Sequence, residues 1–181
     1  MTPEEYVQLK AFARQDGALL SLLWIGAFVC YLKGLASPLL SMTSLLLIIA
    51  TPFYAAMRLR HFRDYARQGL ISFGRGYAFT VLTFFYAGLL LAAALFVYFT
   101  FLDNGYLLGQ FTQIMNTDEG QQLMQMYGIS EQVSQSLSEM SEMRPIDFAL
   151  NMLSVNIMTG LLLGLPIAAM MQRRVVEKVN P

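Results

Sequence analysis

Cysteine and histidine are almost missing, with one of each in 181 residues. The lone Cys30 excludes an intrachain disulfide and any cysteine-based metal set. Inside an apolar run it reads as a small hydrophobe. The lone His61 leaves little from which to build a Ser–His–Asp set, and it reads as an interfacial residue rather than a catalytic base. No Walker A loop, GxGxxG or HExxH is present. These absences predict a non-enzymatic chain with no cofactor and no metal. Charge is scarce as well, at 13% of residues against about 25% in a soluble domain. The formal net charge of zero excludes a globally basic nucleic-acid binder, and no nucleic-acid partner is expected.

What the chain does have is apolar length. Hydrophobic residues make up 56% of it. Four runs, 17–36, 38–57, 76–102 and 149–171, carry almost no charge. Crossing a hydrocarbon core takes about 20 helical residues. Backbone groups in lipid must be satisfied internally, and the runs lack the period-2 alternation of barrel strands, so helices are predicted. The expected fold is an all-α membrane protein. Four transmembrane helices form one polytopic domain over 1–181, with an extracytoplasmic amphipathic helical hairpin between spans three and four. Glu4, Glu5 and Asp16 make the segment before the first run non-basic, and Lys33 interrupts any cleavage site, so that run reads as a retained helix. No run contains Asp, Glu or His, which speaks against proton pumping or intramembrane hydrolysis.

The charges that exist are sorted by side. Lys10, Arg14, Arg58, Arg60, Arg63, Arg67, Arg75, Arg173, Arg174 and Lys178 fall on one side of the four runs, and Lys33 and Arg144 on the other. The positive-inside bias then places both termini and the arginine loop in the cytoplasm. "MRLRHFRDYARQG" is expected to extend the second span as a helix ending at Gly69, with Arg60 and Asp64 paired across a turn. Arg58, Arg60, Arg63 and Arg67 are candidate contacts for anionic lipid headgroups on that side, each worth about 1 kcal/mol near such a surface.

The segment 103–148 is acidic and too long for a bare turn. "NTDEGQQLMQMYG" offers Thr117 as N-cap and Gly128 as C-terminal glycine. "ISEQVSQSLSEMSEMRP" restarts at Ser130 as N-cap and stops before Pro145, with Val133, Leu137 and Met140 as a narrow apolar stripe. Met115, Met124, Met126, Met140 and Met143 are soft ligands in kind, but without nearby cysteine or histidine they read as packing. In the last run Asn156, Gly160, Gly164 and Ala168 recur every four residues, and Gly88 and Ala92 repeat the spacing in the third. Stripes of small residues let backbones approach closely, so these two helices are expected to pair, within one chain or between chains.

"GLISFGRGYAF", the outward "GISEQ…MSEM" pattern and the four-run layout together resemble the DUF4199 family, small polytopic membrane proteins found mainly in Bacteroidetes. Gly69, Ile71, Ser72 and Phe73 match one element of that family, and Gly128, Ile129, Ser130 and Glu131 another, with Gln132 where an acidic residue is common. The resemblance implies a bacterial inner-membrane location and supplies no activity. The expected role is a scaffold or accessory subunit that oligomerises or binds a membrane partner. The alternatives are a small oligomeric transporter or channel, with Thr51, Asn151 and Asn156 along its path, and an accessory to envelope lipid or glycan metabolism.

Overall fold

The structure is a computed structural model that describes residues 2–35 and 37–173. Seven helices are found among them: α1 (Pro3–Gly34), α2 (Pro38–Ala66), α3 (Phe73–Phe101), α4 (Tyr106–Met115), α5 (Asp118–Tyr127), α6 (Ser130–Glu142) and α7 (Pro145–Met171). Four of them, α1, α2, α3 and α7, are long and apolar enough to cross a membrane. The chain forms two compact units, residues 1–92 with 151–181 and residues 93–150.

In the first unit, α1 runs 32 residues, well beyond the roughly 20 that a membrane core requires. Its start is fixed by a capping box, in which the Thr2 hydroxyl accepts from the Glu5 N–H and the Glu5 carboxylate accepts from the Thr2 N–H. Pro38 opens α2 at its first turn. Side-chain hydrogen bonds join the two helices along their apolar lengths. Trp24 Nε1 donates to Thr51 Oγ1 at 2.9 Å, Ser44 to the Ala27 carbonyl at 2.8 Å, and Ser41 to the Gly34 carbonyl at 2.7 Å. Such bonds contribute about 0.6 kcal/mol each in lipid, so close packing must carry the rest. At Gly34 the approach is so tight that a Cβ would stand 2.6 Å from the Ser41 nitrogen.

The core at the arginine-bearing end is aromatic. Phe62 stacks on Phe79 with centroids 4.7 Å apart and meets Phe12 at 5.3 Å. Leu9, Ala13, Leu59 and Ile71 are buried there as well. Trp24 meets Phe84 edge-on at 5.5 Å, in keeping with a packing role. The expected extension of α2 is present, but it ends at Ala66 rather than Gly69. Gln68 and Gly69 both take positive φ, 52° and 83°, and that pair of left-handed residues reverses the chain. Ile71 then forms an antiparallel bridge with Arg173, each N–H donating to the other's carbonyl at 3.0 Å.

The second unit holds three short helices where two were expected. The additional helix is α4, whose N-cap is Gly105 in the left-handed region at φ 78°. Asp103 accepts from the Leu107 N–H at 3.2 Å and so supplies the first-turn acceptor that the glycine lacks. Thr117 caps α5 as expected, accepting from the Gly120 N–H at 3.1 Å, and Gly128 ends it at φ 64°. Ser130 is not the N-cap of α6; Ile129 is, and Ser130 is the first helical residue. Pro145 does not merely stop the chain but opens α7. Val133, Leu137 and Met140 are the half-buried residues of α6, on the face the spacing indicated.

Candidate functional site

The end of the first unit that carries the arginine loop concentrates its buried charge. Asp16 is fully buried. Arg58 donates to its Oδ1 from Nε at 2.7 Å and also from Nη2, while the Tyr54 hydroxyl donates to the Asp16 carbonyl at 3.4 Å. The second oxygen, Oδ2, is buried with no hydrogen-bond partner among the described residues. Asp16 precedes the first apolar run and Arg58 follows the second. Antiparallel helices bring those two positions to one level. In the sequence Asp16 stands one residue before the first run, where it counts toward the charge of the leading segment and gives no sign of burial.

A second cluster ties the start of α1 to the loop after α2. Glu5 accepts from Arg67 Nη2 at 2.8 Å through one carboxylate oxygen and from Arg75 Nη2 at 2.6 Å through the other. The backbone N–H of Thr2, followed by the guanidinium of Arg67, holds the Glu5 carboxyl below its ordinary value. Glu5 lies well before residue 17, outside the span. A third cluster reaches the last helix: Arg63 is buried, donates to Asp64 at 2.7 Å and gives a further hydrogen bond, 3.1 Å long, to the Met171 carbonyl. These contacts put the start of α1, the arginine loop and the end of α7 at one common end of the unit.

The four arginines expected to meet lipid headgroups therefore have different surroundings. Arg58, Arg63 and Arg67 are each engaged by a carboxylate of the same chain. Arg60 alone of the four is broadly exposed, at 68%, with Asp64 3.6 Å away. His61 is exposed and stacks on Tyr65 at 5.6 Å. Beside these residues lies a cavity of about 650 Å³ lined by Arg67, Gln68, Leu70, Ser72, Arg75 and Arg173, among others. Arg75 and Arg173 complete it; both were counted in the sequence only as evidence of orientation.

The small residues of α7 face α3 within the chain. A Cβ at Gly160 would stand 2.5 Å from the Phe84 Cβ, and one at Gly164 3.1 Å from the Tyr77 ring. On α3 a Cβ at Gly88 would be 3.0 Å from the Asn156 Cβ. Ala168 and Ala92 are buried. Gly17 was not singled out from the sequence, yet it brings α1 equally close to α3, with a Cβ there only 2.7 Å from the Tyr86 Cβ. Asn156 spends its amide on the Met152 carbonyl at 2.8 Å, Thr51 receives Trp24, and Asn151 is exposed. In the second unit Met124 and Met140 are half-buried and Met126 is exposed.

No curated protein and no solved structure matches the chain. The family model described as "Protein of unknown function (DUF4199)" matches residues 15–173. That stretch takes in Asp16, the whole arginine loop, all the helix-packing glycines and the bridge to Arg173. The chain belongs to the DUF4199 family.

Proposed function

We propose that the chain is a multi-pass protein of a bacterial inner membrane that acts as a non-enzymatic scaffold or accessory subunit, with its N-terminus, arginine loop and C-terminus in the cytoplasm. The observation that carries the reading is the common end. Glu5, Arg67, Arg75, Arg63 and the Met171 carbonyl tie three chain segments together, so all three share a side whichever side that is. The excess of Lys and Arg on those segments then selects the cytoplasm. The acidic segment holding α4, α5 and α6 faces outward on the same argument, as an amphipathic helical element at the outer surface.

The accessory role is supported by how the polar groups are used. Asp16, Glu5 and Asp64 each hold an arginine, which makes them struts rather than groups free to exchange a proton with a substrate. Because Gly160 and Gly164 are taken up against α3, a partner helix or second copy would meet other faces. Its candidate surface is α2, where Leu39, Met42, Leu46, Ile49 and Phe53 are exposed. Affinity purification from native membranes tests the role. A specific membrane protein or a second copy should co-purify at native expression. A monomer that brings down nothing specific would sink it.

A further inference from the structure

Three arginines, Arg67, Arg75 and Arg173, line one cavity of about 650 Å³. One carboxylate, Glu5, answers them, bridging Arg67 and Arg75 through its two oxygens. Asp64 nearby is paired with Arg63 and Arg60 and also lies within electrostatic reach of Arg173. Arg173 makes no ion pair among the described residues and is exposed. The Nε–H of Arg67 is buried with no acceptor among the described residues. Among the described residues, the cavity's three arginines thus outnumber the one carboxylate that bridges two of them, and a donor is left unused. Ser72 precedes α3, which begins at Phe73, and Arg75 lies in its first turn, at the positive end of the helix dipole. Gln68 and Ser72 contribute neutral donors, and exposed Leu70 gives the rim an apolar edge.

We propose that this cavity binds a phosphate dianion, either free or as a monoester, with Glu5 as the built-in competitor that occupies two of its arginines when the site is empty. Paired guanidiniums match the oxygens of a phosphoryl group through parallel N–H donors, and a dianion balances the excess charge. A carboxylate bridging Arg67 and Arg75 already shows that both can reach one planar oxyanion. The phosphate comes from one of two sources, the headgroup of a phosphatidate-type lipid or free phosphate from the aqueous phase. The site needs neither the orientation nor the accessory role proposed above, so it can fail while those stand, and the reverse.

The test uses the full chain and two variants whose effects have opposite sign. Glu5→Gln removes the competitor while keeping the cap of α1, since glutamine serves a capping box as glutamate does. Arg173→Gln removes an exposed donor that supports no described ion pair. In one arm, retention of phosphatidate against phosphatidylcholine is read by native mass spectrometry. In the other, inorganic phosphate is titrated onto delipidated protein. The expected order of affinity is Glu5→Gln above wild type above Arg173→Gln, with each step roughly tenfold, the scale of one charge-assisted hydrogen bond. That order in the lipid arm alone makes the ligand a headgroup, and in the phosphate arm a free phosphate. Tightening by Glu5→Gln cannot arise from misfolding. Equal binding by all three proteins in both arms, or weaker binding by Glu5→Gln, overturns the proposal.

Discussion

The arginine-bearing end of the first unit and the acidic helices of the second are both rich in charge, and they use it in opposite ways. At the arginine end, besides the local pairs of Asp64 with Arg60 and Arg63, pairs form between residues distant in sequence: Asp16 with Arg58, 42 positions apart, and Glu5 with Arg75, 70 apart. In the acidic region the described ion pair is local, Arg144 with Asp147, three positions apart and broadly exposed. Long-range pairs at least partly shielded from water fix which segments meet. A local pair in water caps a helix and constrains little else. Charge therefore specifies the fold at one end and mainly solubilises the chain at the other.

The largest effect should come from breaking the pair at Asp16. Arg58→Gln strands a fully buried carboxylate and should cost about 3 kcal/mol in detergent unfolding, the scale for removing one partner of a buried pair. Arg144→Gln should leave the unfolding midpoint unchanged. Equal losses from the two substitutions would erase the distinction between the regions.

Glycine to alanine should have opposite signs in the two units. At Gly160 the added Cβ meets Phe84, and overpacking of that kind costs about 1–3 kcal/mol. At Gly109 in α4 nothing lies within 4 Å of the added atom, so alanine should stabilise by about 0.5–1 kcal/mol through helix propensity. Paired unfolding curves read both signs at once.

A smaller effect is expected on acidification. Since the folded pKa of Glu5 lies below its ordinary value of 4.5, its ties to Thr2, Arg67 and Arg75 contribute fully above that pH. They are lost as pH falls through the lower folded value. Thermal midpoints measured across this window should drop less in Glu5→Gln than in wild type. An identical acid profile in the two proteins would show that the tie contributes nothing.

The four spans were legible because about 20 uncharged residues in succession have few alternatives. The helix ends were less so. α1 reaches back to Pro3, where the Thr2 and Glu5 capping box starts it, and α2 stops at Ala66, short of Gly69, because Gln68 as well as Gly69 takes a positive φ. α4 was missed for a local reason. It begins on a left-handed glycine and borrows its acceptor from Asp103, so it lacks the Ser, Thr or Asp N-cap that marks α5. Leu107, Leu108 and Phe111 gave a faint apolar periodicity that could have exposed it. The stripe of small residues in α7 was readable at its correct spacing. That α3 of the same chain lies against it follows only from the packed helices. The cavity was invisible in the sequence because Arg67, Arg75 and Arg173 come from two segments that meet through the Ile71–Arg173 bridge.

The central claim is that the tied end lies in the cytoplasm and the acidic helices outside. Replacing Cys30 by serine gives a cysteine-free chain, into which single cysteines can be placed at exposed positions: Gln68→Cys in the arginine loop or Ser138→Cys in α6. The measurement is labelling of intact cells with a membrane-impermeant maleimide, before and after permeabilisation. The account predicts that Ser138→Cys reacts in intact cells and Gln68→Cys only once they are opened. Labelling of Gln68→Cys from outside the intact cell would contradict it.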